Sequence, residues 1–393
     1  MRGAGEDSHL LVGTKVSDEP TVLGPDGFVQ RLAGRVGARW DQWPLRQYPA
    51  RKAGLFSPAA APSFTPGRVR DIPRDITHLH WVANGFLRIE DFRMLGDPLV
   101  WSTHDMWALT GGCHYTDGCE RYLKNCGWCP LLGSQEECDH SRKVWLRKRD
   151  SWRGINLTIV TSSRWMARLA HASPLFKDTR IEVIPNCLDT TFFIPRNRFA
   201  ARSALGLPQH KLIILFGALS VRGDQRKGLH LLDSALENLS ASIERESVCL
   251  AAMGLSSPQG STSYPFETHY LGVITEEDRL ALSYAAADVF VAPSIEDNLP
   301  YTVMEAMSTG IPCVAFNTSG MPDLIDHEIS GYLAKPFVIE DLAAGIKRVL
   351  LDRPLRELWG QNARGRVVDR FSQEVIVQQH MKLYRDLLDT KRM

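Results

Sequence analysis

Residues 292–312 read APSIEDNLPYTVMEAMSTGIP, and the fold prediction for this 393-residue chain begins from them. The run that leads into this stretch, Asp288-Val-Phe-Val-Ala292, is short, apolar and rich in β-branched residues, which predicts a buried strand. Pro300 is predicted to be the first helical residue, because its fixed φ suits that position and it has no amide to leave unpaired. The stretch therefore reads as a strand, a turn and a helix start in succession.

The predicted helix start carries groups that attract phosphate. Asn298 and Leu299 lead into the helix, and the amides of Tyr301, Thr302 and Val303 are predicted to point out of its first turn. Unpaired N–H groups and the positive end of the helix dipole together favour a bound phosphate. We expect a phosphate-bearing ligand at this end of the helix.

Two carboxylates, Asp297 and Glu305, flank the same helix start. The side chain of Glu305 should lean back toward the helix N-terminus and reach the mouth of the same pocket. A carboxylate near a phosphate is useful when it binds hydroxyls, such as those of a ribose. The alternative for Glu305 is a carboxylate that only complements the helix dipole.

Composition excludes several classes of protein. The 46 Lys and Arg residues nearly cancel the 45 Asp and Glu residues, so the overall charge does not indicate nucleic-acid binding. No run approaches the roughly eighteen apolar residues of a membrane span, and the first residues lack the apolar core of a signal peptide. We expect a cytosolic protein, and its length predicts two domains.

Short apolar runs alternate with helical patterns from about residue 76, which predicts parallel sheets with helices on both faces. Strands are predicted at Ile76–Val82, Pro98–Thr103, Leu157–Thr161, Ile181–Ile184, Leu212–Phe216, Val248–Met253, Thr268–Leu271, Asp288–Ala292 and Cys313–Phe316. Helices are predicted at Lys227–Asn238, Glu276–Ala287, Pro300–Thr309, Ile339–Leu351 and Val375–Lys391.

Domain boundaries follow from this alternation. We predict a first domain over residues 1–194, a second over residues 195–371 and a closing helical segment over residues 372–393. The first seventy residues read mostly as loops with short ordered pieces. They lack the strand and glycine-rich turn that normally open a doubly wound domain, so we expect the chain to begin partway into its first domain.

A series of motifs resembles the retaining GT-B glycosyltransferases of family 4. The series comprises Pro185-Asn-Cys-Leu-Asp189, Lys227-Gly228, the Asp297 to Glu305 segment, Gly310-Ile-Pro312 and Ser319-Gly320. A second set resembles a narrower group associated with colanic-acid-type exopolysaccharide synthesis: residues 103–115 (THDMWALTGGCHY) and residues 126–130 (CGWCP). The resemblance covers most of the chain from about residue 76.

The resemblance implies a GT-B fold: two Rossmann-like α/β domains that face a cleft, with the closing helix returning to the first domain. By that likeness Glu305 binds the donor ribose, Asp297 binds the donor sugar hydroxyls, and Lys227 neutralises the diphosphate. His104 is expected beside the transferred sugar. Reaction is expected with retention at the anomeric carbon and without a catalytic cofactor or essential divalent metal. The alternative for Lys227 is a surface lysine at a helix start, and for His104 a structural histidine.

The chain departs from the family pattern in its donor site. Asp297, preceded by Glu296, stands where the family has glutamate, and we favour Asp297 for that role on spacing. Ala218 stands where an arginine usually follows the strand. Arg222 and Arg226 are the candidates to replace that arginine at the second phosphate.

A cysteine-rich loop over residues 107–138 is a candidate metal site. Cys113, Cys119, Cys126 and Cys129 are spaced C-x5-C-x6-C-x2-C, which suits a structural zinc held by thiolates. Reduced buried thiols and disulfides are the alternatives. Cys187, Cys249 and Cys313 are interpreted as packing residues.

Residues 142–153 (RKVWLRKRDSWR) read as a basic helix with two tryptophans on one face. One interpretation is contact with anionic lipid headgroups or a lipid-diphosphate acceptor, hence a peripheral position at the inner face of a membrane. The other is a helix packed on its domain through the tryptophans, with its cations solvated.

The sequence therefore predicts a retaining hexosyltransferase of exopolysaccharide assembly. Its expected partners are a nucleotide-sugar donor and a saccharide or lipid-linked acceptor. The alternatives are a non-catalytic binding subunit and a nucleotide-sugar epimerase on the same fold. Motif spacing does not encode the donor base, the sugar or the acceptor.

Overall fold

The computed structural model describes residues 1–217, 224–255 and 264–392. The strands in this part of the chain are β1 (Leu10–Leu11), β2 (Val22–Leu23), β3 (Thr77–Leu79), β4 (Leu99–Thr103), β5 (Leu157–Thr161), β6 (Arg180–Val183), β7 (Leu212–Gly217), β8 (Val248–Met253), β9 (Glu267–Gly272), β10 (Val289–Ala292), β11 (Cys313–Phe316) and β12 (Gly331–Ala334). The helices are α1 (Gly27–Asp41), α2 (Thr65–Arg70), α3 (His140–Trp152), α4 (Arg164–Ala172), α5 (Arg198–Leu205), α6 (Leu229–Ser240), α7 (Glu277–Ala286), α8 (Tyr301–Ser308), α9 (Met321–Leu324), α10 (Ile339–Leu351), α11 (Arg353–Phe371) and α12 (Gln373–Arg392).

The chain divides into two units after Ile184, and the chain from Val377 groups with the first of them. The sequence placed this boundary later, after Ile194. The residues just after Ile184 group with the second unit because the amide of Leu188 donates a 2.8 Å hydrogen bond to the carbonyl of Phe371. Most of α12, from Val377 onward, belongs to the first unit.

The second unit is built on a six-stranded parallel sheet in the order β12-β11-β10-β7-β8-β9. Successive residues of β7 point to opposite faces, so Ile213 and Leu215 enter one core and Ile214 and Phe216 enter the other. Helices α5, α7 and α8 cover the first face, and α6 and α10 cover the second. This unit is doubly wound, as the alternating pattern predicts.

The first unit contains a four-stranded parallel sheet in the order β3-β4-β5-β6. Its core is aromatic: Trp101 of β4 packs against Phe92, Trp107, Trp152 and Phe176 with ring centroids 5.0–6.5 Å apart. Strands β1 and β2 form a separate parallel pair. Within the described residues, the four-stranded sheet begins at β3, and no earlier strand joins it.

Helix α1 corrects the sequence prediction, which read the first seventy residues mostly as loops. Asp26 occupies the N-cap with extended backbone, and the helix begins at the next residue. At the other end, the buried carboxylate of Asp41 accepts hydrogen bonds from the amides of residues 59–61. The helix thereby fixes a loop distant in sequence, a tertiary contact that local turn signals do not reveal.

Candidate active site

The central strands β7 and β10 mark a switch point, because the strand order runs in opposite directions on either side of them. In open α/β sheets, ligands bind outside the carboxyl ends of the strands at such a point. A pocket lies there. Its lining includes Gly217 at the end of β7, Ala292 at the end of β10, and the side chains of Lys227 and Thr302.

The Lys227-Gly228 pair lies in a tight turn rather than in a helix, contrary to the prediction of a helix from Lys227. A 3-10 turn spans Gln225–Lys227, and Gly228 follows in the left-handed region with φ +67°. A Cβ at Gly228 would lie 2.0 Å from the carbonyl oxygen of Pro293. Glycine is therefore required here for its φ and because the turn packs directly against the end of β10.

Lys227 and Asp297 form an ion pair, with 2.5 Å between Nζ and Oδ2. The sequence assigned these groups separately, to the diphosphate and to the sugar hydroxyls. The Asp297 side chain is 9% exposed and that of Lys227 is 25% exposed. The ammonium of Lys227 faces the pocket, and the carboxylate of Asp297 is already paired with it.

Arg226 is directed away from the role proposed for it at the second phosphate. Its guanidinium pairs with the carboxylate of Asp224 and donates a 2.9 Å hydrogen bond to the carbonyl of Glu296. Its own carbonyl accepts from the amide of Ile295 at 2.7 Å. Arg226 thus ties its turn to the loop before Asp297. The other two positions of that prediction, Arg222 and Ala218, lie outside the described residues.

The helix start differs from the prediction in two details. Pro300 is the N-cap of α8 with ψ 125°, so Tyr301 is the first helical residue. The amide of Val303 donates to the carbonyl of Pro300 at 3.2 Å and is not free for a ligand. Within the described residues, the amides of Tyr301 and Thr302 remain as the unpaired donors of this turn.

Glu305 is held by a residue that the sequence analysis did not identify. The hydroxyl of Tyr284, on α7, donates a 2.6 Å hydrogen bond to Oε2 of Glu305. Burial raises the pKa of the Glu305 carboxyl, the Tyr284 hydrogen bond lowers it, and the charge of Glu277 raises it. Oε1 has no partner among the described residues, which leaves one oxygen for a ligand hydroxyl. A lone tyrosine in an amphipathic helix carries no sequence signal for this role.

The loop between β10 and α8 is fixed from behind by Gly320. The amide of Gly320 donates to the carbonyl of Asp297 at 3.0 Å, and a Cβ at Gly320 would overlap the carbonyl oxygen of Asn298. Asn298 is buried, and Leu299 places its side chain in the core. The Ser319-Gly320 motif therefore supports the loop. Because the side chain of Leu299 lies in the core, only its backbone is placed to contact a ligand.

His104 lies in the first unit, just after β4, beside a second histidine. Its Nε2 is 3.1 Å from Nδ1 of His80, and the two rings stack with centroids 5.4 Å apart. Burial lowers the pKa of His104, partly offset by Asp105. One ring therefore donates to the other, and the tautomers of the two rings are coupled. His80 follows β3 and was not singled out from sequence.

A buried polar chain lies next to His104. Nδ1 of His114 is 2.7 Å from Asp105, and its Nε2 is 2.9 Å from the hydroxyl of Ser57. Asp105 also accepts hydrogen bonds from the indole of Trp81 and the amide of Trp107. These contacts give both ring nitrogens of His114 a hydrogen-bond partner, so His114 is a structural residue. The CHY sequence at residues 113–115 therefore serves to position Asp105.

The four cysteines of the predicted zinc site do not converge. No three of their sulfurs lie within 4.8 Å of one another in the described residues, whereas a tetrahedral thiolate site needs separations of roughly 3.8 Å. Burial raises the pKa of Cys126 to about 12 and also raises that of Cys113. As they lie, these side chains do not fit zinc. Zinc here stays a prediction, which metal analysis of the purified protein tests.

Helix α3, the basic helix, packs into its unit through its tryptophans. The indole N–H groups of Trp145 and Trp152 donate to the carbonyls of Tyr122 and Ile89. Lys148 was expected to be solvated, but it is fully buried, and its ammonium donates to the carbonyls of Trp107 and Thr110. Burial lowers its pKa to about 7. Among the described residues, no helix is both long enough and apolar enough to cross a bilayer.

The model of the group 1 glycosyl transferases matches residues 197–366. That range contains the turn at Lys227, the switch-point loop and Glu305. Residues 197–366 are therefore similar to the group 1 glycosyl transferases.

Three relatives illustrate this likeness. The chain is 30% identical over 232 residues to sulfoquinovosyl transferase SQD2 of Arabidopsis thaliana (57% of this chain, 43% of the relative). It is 26% identical over 219 residues to the UDP-Gal:alpha-D-GlcNAc-diphosphoundecaprenol alpha-1,3-galactosyltransferase of Escherichia coli (54% and 56%). It is 27% identical over 233 residues to the putative colanic acid biosynthesis glycosyl transferase WcaC of Escherichia coli strain K12 (58% and 54%). The chain spans about half the length of the curated relatives it matches.

The fold likeness extends beyond the residues that the family model matches. Sucrose-phosphate synthase of Thermosynechococcus elongatus superposes with a TM-score of 0.62 at 23% identity, covering 80% of this chain and 74% of that one. The fold is GT-B, with two α/β units built on parallel Rossmann-like sheets. The fold class that the motif series implies is confirmed.

Proposed function

We propose that this protein is a retaining glycosyltransferase that moves a hexosyl group from a nucleotide-sugar donor to a saccharide or lipid-linked acceptor in exopolysaccharide synthesis. The observation that carries the proposal is the Lys227–Asp297 pair at the switch point. It lies within the matched glycosyltransferase domain, and Glu305 lies on the helix that starts beside it.

The donor is assigned to the second unit. The diphosphate attracts the ammonium of Lys227, which releases Asp297 to accept hydrogen bonds from the sugar hydroxyls. The unpaired amides of Tyr301 and Thr302 add donors at the positive end of the helix. Glu305 binds the ribose through Oε1 while Tyr284 holds the other oxygen. Each group thus meets a different part of a nucleotide sugar.

Leaving-group stabilisation follows from the same arrangement. Negative charge grows on the diphosphate as the glycosidic bond breaks, and a lysine with preorganised amides stabilises that charge more than it stabilises the bound donor. We propose that these groups make a divalent metal dispensable. Retention is the stereochemical course expected from the motif series, and the anomeric configuration of the product tests it.

The acceptor class is proposed from the relatives. The name of one of them specifies a UDP-sugar donor and a diphosphoundecaprenol-linked acceptor, and another is named for colanic acid biosynthesis. A lipid-linked acceptor places the reaction at a membrane surface, so we propose a cytoplasmic, membrane-peripheral protein. Lys143, Arg149 and Arg153 of the α3 region are exposed and available for anionic headgroups.

Titration calorimetry and transfer of labelled sugar test the proposal. The wild-type chain should bind UDP or GDP and pass label from the matching nucleotide sugar to an added lipid-linked saccharide. Lys227→Met should weaken diphosphate binding by about 10- to 100-fold, as expected for loss of a charged hydrogen bond. Lys335→Met, at an exposed lysine, is the matched control.

The outcomes separate the alternatives. Absence of nucleotide binding would contradict an enzymatic role. Sugar conversion without an acceptor would indicate an epimerase instead. Equal nucleotide affinity in Lys227→Met and wild type would remove Lys227 from the diphosphate site.

A further inference from the structure

Three side chains of different chemistry converge at the edge of the six-stranded sheet. Cys249 of β8 is in register with Glu267 of β9, and His269 lies two residues further along β9. Residues two apart on a strand share a face, so the three side chains project to the same side. The sulfur, a carboxylate oxygen and an imidazole nitrogen all lie within 4.8 Å of one another.

We propose that Cys249, Glu267 and His269 bind a divalent transition metal ion, with Zn²⁺ the best fit. Thiolate and imidazole select a borderline-soft ion over Mg²⁺ or Ca²⁺, and zinc also accepts a carboxylate oxygen as a third ligand. The sequence interpreted Cys249 as a packing residue only. The site goes beyond the proposed transferase function.

The distances require only small movements. Zn–S near 2.3 Å and Zn–N near 2.0 Å at a tetrahedral angle place sulfur and nitrogen roughly 3.5 Å apart. The side chains of Glu267 and His269 are 46% and 31% exposed, so both are free to rotate onto an ion. Cys249 is fully buried beneath them. Its thiol releases a proton to solvent when the metal–sulfur bond forms.

The charges around the site define the competitor for the metal. Lys211 holds one oxygen of Glu267 at 2.6 Å, and Nε2 of His269 lies 2.8 Å from the other oxygen. The carboxylate and imidazole are therefore already adjacent, and the ammonium of Lys211 competes with the ion for the Glu267 carboxylate. A bound ion would join the edge strand β9 to β8. Cys249 and Glu267 lie near the amino ends of these strands, whereas the switch-point pocket lies at the carboxyl ends of β7 and β10.

Co²⁺ titration of the chelator-treated full chain tests the site. Cobalt gives tetrahedral absorption bands and a thiolate charge-transfer band, so both geometry and sulfur ligation are visible. The wild type should bind Co²⁺ with both signals, and Zn²⁺ should displace it. His269→Gln, at a half-exposed position, and Cys249→Ser should each lose one equivalent of bound Co²⁺.

Two further variants sharpen the result. A Cys126→Ser, Cys129→Ser double variant should keep the equivalent that depends on His269, which separates this site from the cysteine-rich loop. Lys211→Met should bind Co²⁺ about two- to fivefold more tightly, because an exposed ion pair no longer competes. Equal Co²⁺ stoichiometry in His269→Gln and wild type, or weaker binding in Lys211→Met, would overturn the proposal. Nucleotide binding should be unchanged in all four variants.

Discussion

Glu305 combines a ligand-binding role with an energetic cost in the free protein. Burial raises its pKa, which means that the folded state disfavours the ionised form. Glu305→Gln keeps the shape and the contact with Tyr284 but removes the charge. We therefore expect a higher melting temperature at neutral pH together with UDP affinity lower by about 10- to 100-fold.

The sign of the pH dependence follows from the direction of the shift. A carboxyl whose folded pKa is raised contributes most to stability at low pH and loses that contribution as pH rises through the folded pKa. The advantage of Glu305→Gln should therefore vanish in acid, where both side chains are neutral. Melting curves across pH measure this, with the exposed Glu276→Gln as control. A melting temperature that does not rise at neutral pH would contradict a charged, buried Glu305.

Lys148 provides an independent test of a buried charge. Its pKa falls from 10.5 to about 7 because of burial, so the unfolded chain binds more protons than the folded chain between these values. Stability contributed by Lys148 should rise with pH across this window, by up to about 1.4 kcal/mol per pH unit. Lys148→Met should lose that slope, as measured by urea unfolding.

The same helix provides the control for this measurement. Lys143 is exposed, so Lys143→Met should keep the wild-type pH dependence. Identical slopes in Lys148→Met and wild type would show that Lys148 keeps an ordinary pKa.

At the scale of an element, the turn before α6 depends on one close approach. Gly228 and Gly206 both have φ +67°, but only Gly228 packs against a carbonyl, since a Cβ there would lie 2.0 Å from the oxygen of Pro293. Gly206→Ala should cost about 1–2 kcal/mol for its left-handed backbone alone. Gly228→Ala should cost more and should also weaken nucleotide binding by displacing Lys227.

Chemical unfolding and calorimetry of these two variants separate backbone strain from packing. Equal losses of unfolding free energy in Gly206→Ala and Gly228→Ala would show that the turn moves freely away from β10. In that case the turn would not position Lys227. The interpretation that the turn holds the Lys227 ammonium against Asp297 would then be wrong.

At the scale of the whole molecule, the end of the chain completes the first unit. Nδ1 of His78 on β3 is 2.5 Å from the hydroxyl of Tyr384 on α12, and Lys391 donates to the carbonyl of Asp97. Tyr384→Phe removes one hydrogen bond worth about 1 kcal/mol. Amide exchange at Thr77–Leu79 should then be about fivefold faster, the factor that this free energy corresponds to.

Hydrogen exchange followed by mass spectrometry localises the effect. Strands of the second unit should keep their protection in Tyr384→Phe, and Lys382→Ala, at an exposed position of α12, should resemble wild type. Unchanged exchange at β3 in Tyr384→Phe would mean that the His78 contact does not hold the helix.

Local sequence was sufficient for the elements that carry their own signal. The strands at 157–161, 248–253 and 313–316 were predicted with the bounds that the structure has, because buried parallel strands are continuous apolar runs. The loop before α8 was recognisable because it needs particular residue types, whereas the turn at Lys227-Gly228 was read as the start of a helix. Helix α11 and strand β12 escaped prediction, since their patterns are less distinct.

Residue patterns alone were enough to predict the doubly wound α/β class, the motif series that resembles glycosyltransferases and the candidate residues Lys227, Asp297 and Glu305. The contacts of those residues became visible only in the folded chain. Folding paired Lys227 with Asp297, placed Tyr284 on Glu305 and turned Arg226 onto its own loop. It also buried Lys148 and brought no three of the loop cysteine sulfurs within 4.8 Å of one another among the described residues. The physical reason is that the periodicity of a helix or a strand depends on residues that are near in sequence. The partners of a side chain depend instead on which distant elements the sheet brings together.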